Sequence, residues 1–433
     1  MTTDVKFEEI KNKTYYPLLQ PASRDFLQSL YTKYHFTFQE FRWLTEAARD
    51  LEMWGGDGIA QFWARIEEGV PRATASNDNR ARKRDLLRLC REEFLKLQRA
   101  PKDYAAPAGG SAKPKRAPLR AMSEDSEKKI HGDCPVASPE TVCCNLKTID
   151  AVENCVFGCS YCTIQTFYGN EAVFDSKFRE KLDRIVIDPN RFYHFGTGQS
   201  SDSLVWGNRQ GILDDLCGFA RKHPNILLEF KTKSDQVRYF LENEVPENVV
   251  CSWSLNPQAV IENEEHFTAA LEARLAAARK VADRGIAVAF HFHPIVYFEG
   301  WEADYRALAE RVQSAFQPDE VLFISFGSVT FIKPVMQQIR KRGEPTKILQ
   351  MELVPTAKGK LSYPAEIKVR QFRYMDEVFW PWKEKVFRYL CMESPEIWDA
   401  VWGGHYPDNE TFEKDFGAKT MRKLSQTVKR FDI

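Results

Sequence analysis

The hydrophobic positions of this chain follow two regimes. Over the first hundred residues they recur at helical spacing: Phe38, Phe41, Leu44 and Ala48 share a face, Gly55-Gly56-Asp57-Gly58 interrupts, and Ile59, Phe62, Trp63 and Ile66 resume the period. A third stripe, Leu86, Cys90, Phe94 and Leu97, predicts a helix over Arg80–Arg99 with basic residues on much of its remaining surface. Two helices joined by a glycine turn fit either ordinary packing or a DNA-binding helix pair, and packing is the commoner use. Residues 100–129, rich in Ala, Pro, Gly, Ser and Lys, read as a flexible linker.

Beyond residue 130 the period changes. Short segments rich in β-branched or aromatic residues occur at Thr148–Asn154, Phe192–Gly196, Ile226–Lys231, Val249–Ser254, Ile286–Pro294 and Val321–Phe326. They alternate with helical patterns at Ser176–Ile187, Gln210–His223, Ser234–Asn243, Thr268–Arg284 and Ala303–Phe316. The fourth of these is sharply bounded, with Thr268 suited to the N-cap and Gly285 to the stop. Strands separated by helices in this way imply a parallel sheet with right-handed crossovers, open or curled into a partial barrel. Functional groups then belong at the C-terminal strand ends. From about residue 336 the chain is dense in aromatics, among them Phe372, Phe379, Trp380, Trp382, Tyr389, Trp398 and Trp402, and a packed cap is favoured over a base-stacking platform. The expected organisation is a helical region over 1–99, a linker over 100–129, a barrel over 130–335 and an α-helical or α+β cap over 336–433.

Composition changes this picture in two places. The 433 residues carry 61 Lys+Arg and 61 Asp+Glu, a net charge of zero, with a mean hydropathy of −0.46. No apolar run approaches the ~18 residues of a transmembrane helix, and Met1–Lys13 lacks the basic-then-apolar order of a signal segment. A cytoplasmic protein with no membrane partner is expected. The zero conceals an uneven distribution, because Arg80–Arg120 holds 13 Lys/Arg against 4 Asp/Glu, a local stretch able to meet nucleic-acid phosphates. Ten cysteines are too few for a disulfide scaffold, yet Cys134, Cys143, Cys144, Cys155, Cys159 and Cys162 crowd one stretch, as in metal binding.

The chemistry sits in Cys155-Val-Phe-Gly-Cys159-Ser-Tyr-Cys162. Three thiolates on one loop can hold three corners of an iron–sulfur cube and leave the fourth iron open to a substrate. Zinc would want a fourth protein ligand, for which Cys143 or Cys144 is available. Cys134, Cys143 and Cys144 alone are too few and too irregular for an auxiliary cluster, and Cys217, Cys251 and Cys391 read as small buried hydrophobes.

This loop resembles that of the radical SAM enzymes. More closely, Asn154–Thr166 (NCVFGCSYCTIQT), Gly196–Ser203 (GTGQSSDS), Phe230–Val237 (FKTKSDQV), Ser252–Asn256 (SWSLN), the stretch Glu264–Lys280 and His291–Trp301 (HFHPIVYFEGW) resemble, in order, the spore photoproduct lyase family. The resemblance implies an α/β fold, a partial (β/α)6 barrel, with a 4Fe–4S cluster on Cys155, Cys159 and Cys162 that chelates S-adenosylmethionine. It implies reductive cleavage of that cofactor to a 5′-deoxyadenosyl radical, fed by an electron donor such as a ferredoxin or flavodoxin. Gly196, Gly198, Ser201, Asp202, Lys233, Ser254 and Asn256 match positions beside the cofactor. Three departures stand out. Ser200 occupies the place of the cysteine that returns a hydrogen atom in the DNA-repair members, and an O–H bond is much stronger than an S–H bond. Tyr161 keeps one position of a tyrosine pair while Thr163 fills the other. Lys368–Trp382 has no counterpart of the DNA-contacting hairpin. Radical chemistry on a nucleic-acid lesion is the leading reading. Modification of a peptide or small metabolite, and a non-catalytic DNA-binding protein with a structural metal, are the alternatives. His291 and His293 alternate on one face of the fifth strand, either lining the barrel together or packing in its core.

Overall fold

A computed structural model of the chain describes residues 3–69, 79–105, 119–125, 127–135 and 137–431. It comprises two compact units, Met1–Lys115 with Phe331–Leu353, and Arg116–Thr330 with Val354–Ile433.

The first unit is helical: Thr3–Lys11, Pro21–Tyr34, Phe38–Trp54, Ile59–Gly69, Asn79–Arg99 and Lys333–Arg342. Thr37 and Glu40 form a reciprocal capping box at the start of Phe38–Trp54, and Gly55 ends that helix with a φ of +73° that favours glycine. Phe41, Leu44, Ala48, Ile59, Phe62, Trp63, Ile66, Leu86, Cys90 and Phe94 are all buried, so the apolar stripes serve the unit's own core, whereas Phe38, at the first turn of its helix, is exposed and Leu97 is half-buried. Residues 336–353, expected in the cap, fold here instead. Arg340 grips the buried Asp50 through two hydrogen bonds of 2.7 and 2.8 Å, and Arg99 grips Glu352 through two of 2.9 Å. Local pattern carries no information about such distant pairings. Residues 106–118 of the expected linker lie outside the described residues, and Arg120–Glu124 is a strand paired in parallel with Glu171–Asp175.

The second unit is built on an eight-stranded sheet. In chain order its strands are β1 His131–Asp133, β2 Lys147–Ile149, β3 Tyr193–Thr197, β4 Ile226–Thr232, β5 Val249–Ser254, β6 Ala287–Ile295, β7 Val321–Ser328 and β8 Phe387–Leu390. The six expected strands are β2–β7, each parallel to its neighbour in chain order. The first is shorter than expected, because the chain leaves the sheet after Ile149 and Val152–Glu153 pairs with Glu171–Asp175 instead. Two edge strands are additions, β1 antiparallel to β2 and β8 parallel to β7, both too short to leave a periodic signal.

The sheet is curled. Flat, it would hold the ends of β3 and β8 about 24 Å apart at ~4.8 Å per strand, yet residues following both line one cavity. Helices Ile212–Lys222, Leu271–Asp283 and Trp301–Ala315 cover its outer face, with Leu271, Leu275, Ala278 and Ala282 buried as the stripe requires. Ala270, not Thr268, is the N-cap of Leu271–Asp283, and the Thr268 hydroxyl donates to the Glu265 carbonyl at 2.7 Å instead. The aromatics after residue 365 are mostly core: Phe372, Phe379, Trp382, Tyr389 and Trp398 are buried, whereas Trp380 is exposed. Lys368–Trp382 runs through a helix and a 3-10 turn rather than a hairpin. Among the described residues no helix is long and apolar enough to cross a membrane.

Candidate active site

A cavity of about 340 Å³ opens at the C-terminal ends of the parallel strands, with Cys155, Cys159 and Cys162 in its wall. Asn154, at a φ of +75°, starts the cysteine loop. Its amide donates to the carbonyls of Gly169 and Glu171 at 2.8 and 2.9 Å, and its Oδ1 accepts the Cys155 N–H at 2.9 Å. Gly158–Cys159 then pairs antiparallel with Glu265–His266. A Cβ at Gly158 would stand 3.0 Å from the Phe267 ring, so glycine is what lets these segments close. Burial pushes the Cys155 thiol up to about 12 and the Cys159 thiol well above its usual range, so both become thiolates only when a cation is bound.

The donor set suits a cube better than a single ion. Among the described residues no three His, Cys, Asp or Glu side chains gather closely enough to share one metal ion. A tetrahedral zinc site would draw its sulfurs to about 3.8 Å from one another, whereas an iron–sulfur cube spreads its thiolates over separate irons. Cys155, Cys159 and Cys162 all line one cavity and supply three thiolates for such a cube. Cys143 and Cys144 are buried and do not line that cavity.

Several residues matched to the cofactor come together here. Gly198 has a φ of +81°, and a Cβ on it would lie 2.5 Å from Ser203 Oγ. Asp202 accepts from the N–H groups of Leu204 and Val205 at 3.0 Å, from the Thr232 hydroxyl at 2.7 Å and from the Lys233 N–H at 2.8 Å. Its carboxylate therefore ties the loop after β3 to the end of β4 and positions Lys233. Burial opposes the charge of Lys233, but the nearby carboxylate of Glu265 counters it and the pKa is raised. The Lys233 ammonium sits 5.7 Å from the Tyr161 ring centre. Ser201 and Ser254 also line the cavity, with Ser201 Oγ accepting from the Trp206 indole at 3.1 Å.

Others stand back from it. Gly196 lies within β3 opposite Thr148, where a Cβ would press on Leu146 at 3.0 Å. The Ser200 N–H donates to Asp150 at 2.7 Å, and Ser200 is absent from the cavity wall. Asn256 is fully buried behind the wall, donating to Glu265 at 2.8 Å and accepting from the Tyr305 hydroxyl at 2.7 Å. Tyr161 reaches the cavity, and its hydroxyl donates to Glu265. Glu265 thus organises this side, held in turn by the fully buried Arg274 at 2.6 Å. Neither is recognisable as a site residue in sequence, although both lie in the quoted stretch 264–280.

Beneath the cavity runs a buried polar chain. Glu229 on β4 accepts from His194 at 2.8 Å and from His291 and Ser252, while the Ser325 hydroxyl bridges His291 and His293. The two histidines of β6 therefore do point inward together, and His293 reaches the cavity. Burial and then Lys231 push His291 down to about 4, so it stays neutral, while His291 and His194 hold Glu229 well below the usual carboxylate range despite its burial. An unfolded chain takes up the histidine proton below ~6.5, which the folded state refuses until about 4. Stability is therefore expected to fall as pH drops from roughly 6.5 towards 4, by up to ~1.4 kcal/mol per pH unit for each such histidine. Urea midpoints across this range check it, and His291→Gln should flatten the dependence; an unchanged slope would refute the assignment.

Comparison with known proteins gives one consistent result. A family model described as spore photoproduct lyase matches residues 147–369. The spore photoproduct lyase of Bacillus subtilis (strain 168) is 28% identical over 202 residues, which are 45% of this chain and 59% of that protein. That of Geobacillus sp. (strain Y412MC61) is 26% identical over 210 residues, 46% of this chain and 61% of the other. The matches thus span about three fifths of the length of these relatives. Among solved structures, a spore photoproduct lyase complexed with dinucleoside spore photoproduct superposes with a TM-score of 0.53 at 19% identity, over 62% of this chain and 82% of that one. A variant with bound AdoMet and the same dinucleoside gives 0.52 at 20% identity, over 63% and 82%. The likeness to these two structures is one of fold.

Proposed function

Since the chain belongs to the spore photoproduct lyase family, we propose that it is a radical SAM enzyme that holds a 4Fe–4S cluster on Cys155, Cys159 and Cys162. The observation that carries this reading is the placement of these thiols in one cavity with Gly198, Ser254 and the Asp202-positioned Lys233. When bound, the cluster supplies one electron to S-adenosylmethionine and so generates a carbon-centred radical. Lys233 offers an ammonium to the cofactor carboxylate, and Gly198 lets backbone approach where a side chain would block. An external one-electron donor of the ferredoxin or flavodoxin type feeds the cluster. Anaerobic reconstitution with iron and sulfide, followed by reductant and S-adenosylmethionine, is expected to yield 5′-deoxyadenosine. A fully loaded cluster that yields none would refute the reading.

For substrate we propose a nucleic-acid lesion, supported by the dinucleoside held by the solved relatives. One observation favours the second reading, a peptide or small metabolite. Much of the basic stretch is already neutralised: Arg82 faces Glu67 at 3.1 Å, Lys83 faces Glu40 at 2.9 Å, Arg88 faces Glu92 at 2.9 Å and Arg99 faces Glu352 at 2.9 Å. Lys113, Lys115 and Arg116 lie outside the described residues. A lesion-directed enzyme should bind DNA with an affinity that falls steeply with salt, by a logarithmic slope of roughly −0.9 per phosphate contact. Binding that is absent or indifferent to salt would shift the assignment to the second class. Transfer of deuterium from a labelled candidate substrate into 5′-deoxyadenosine identifies the substrate directly.

A further inference from the structure

Two thiols outside the cluster motif, Cys134 and Cys391, open onto the same cavity as Cys155, Cys159 and Cys162. Cys391 stands one residue past β8, where its N–H donates to the Phe326 carbonyl at 2.7 Å and so prolongs the pairing with β7. Cys134 follows β1 and donates its N–H to the Leu146 carbonyl at 3.0 Å. In sequence Cys391 reads as a small buried hydrophobe. The curl of the sheet corrects that, because it brings the end of the last strand round to the cavity that holds the cluster loop.

We infer that Cys391 is the hydrogen-atom donor for carbon radicals formed in this cavity, a role that rests on the radical reading proposed above. A carbon radical takes hydrogen fastest from a weak bond, and an S–H bond is much weaker than the O–H bond of a serine or threonine, while the phenol lining the cavity, Tyr161, already donates its hydrogen to Glu265. Two of the hydroxyls around the cavity donate elsewhere, Tyr161 to Glu265 and Thr232 to Asp202, and Ser200 is off the wall. Burial, reinforced by the neighbouring Cys134 and Cys143, raises the Cys391 pKa and keeps the thiol protonated against the pull of Lys231. A protonated thiol can give up a hydrogen atom. In the step, the S–H bond of Cys391 breaks, a C–H bond forms on the substrate, and the unpaired electron passes to Sγ. One electron from the external donor that reduces the cluster, with one proton from solvent, restores the thiol.

The test needs no substrate. The full chain, reconstituted in D2O and given dithionite and S-adenosylmethionine alone, cleaves the cofactor slowly, and its exchanged thiol is S–D. The 5′-deoxyadenosine formed is expected to carry one deuterium. Cys391→Ala and Cys391→Ser should both form the product without the label, and Cys134→Ala should keep it. The serine variant guards against a packing defect in the alanine one. Label that persists in both Cys391 variants, or that is missing from the unsubstituted protein, overturns the inference. Absence of 5′-deoxyadenosine altogether strikes instead at the proposed function. A second measurement needs no turnover: in the loaded protein without reductant, S-adenosylmethionine at ten times its Kd should slow iodoacetamide alkylation of Cys391 about tenfold. Equal rates with and without the cofactor would also overturn it.

Discussion

Replacing Cys159 by Ala is expected to abolish both iron–sulfur loading and 5′-deoxyadenosine formation, the largest functional effect of any single substitution in this chain. On the proposed reading each thiolate of the loop would serve a separate iron, so two remaining ligands would not retain a cube against solvent and chelators. Position makes Cys159 the most sensitive of the three. It is 5% exposed and lies on the short strand paired with Glu265–His266, so backbone pairing fixes its thiol in the cavity wall. Cys217→Ala is the control, because that buried thiol sits on the outer helix Ile212–Lys222 and should leave iron content and product unchanged. Iron and sulfide analysis with product chromatography on both variants checks this. Full product formation by Cys159→Ala would remove the cluster loop from the mechanism.

The largest effect on stability is expected from Arg274→Met. Arg274 is fully buried, and its guanidinium donates to the carbonyls of Ala269 and Ser254 at 2.8 and 2.9 Å and to the Thr268 hydroxyl at 2.6 Å, besides pairing with Glu265. Its removal strands a buried carboxylate and two carbonyls, a loss of about 3–5 kcal/mol. Glu265 is also what holds Tyr161 and Asn256 and supports the charge on Lys233, so the cavity wall should loosen with it. Replacing both partners, Arg274→Met with Glu265→Leu, is expected to recover part of the stability, because no unpaired charge then remains. Urea unfolding of the single and double variants gives the coupling. A single-variant loss under ~1 kcal/mol would mean that water reaches this pair and that it does not brace the site.

Long, strongly periodic segments are legible in the amino-acid sequence alone. The six parallel strands, the helices Ile212–Lys222, Leu271–Asp283 and Trp301–Ala315 between them and the three apolar stripes of the first hundred residues follow from side-chain periods of 2 and 3.6, which are local properties, whereas the helices expected over Ser176–Ile187 and Ser234–Asn243 shrink to Phe178–Asp183 and Arg238–Glu242. The cysteine spacing is legible for the same reason, since the loop that carries it is only eight residues long. Departures fall where local signal is weak. β1 and β8 are three and four residues long, and Thr268 is displaced from the cap because its hydroxyl finds the Glu265 carbonyl.

What the sequence by itself determined is therefore an alternating α/β chain with a three-thiolate loop at a strand end, together with a family resemblance carried by co-linear motifs. Tertiary structure decided which of the matched residues share a cavity. It turned Asp202 and Asn256 into braces, set Ser200 aside and drew His293 and Cys391 inward. It also returned residues 336–353 to the helical unit through Arg340 and Asp50. The physical reason is common to all of these. Curling a parallel sheet brings together strand ends far apart in the chain, and buried charges choose their partners by distance in space, which no sequence period encodes.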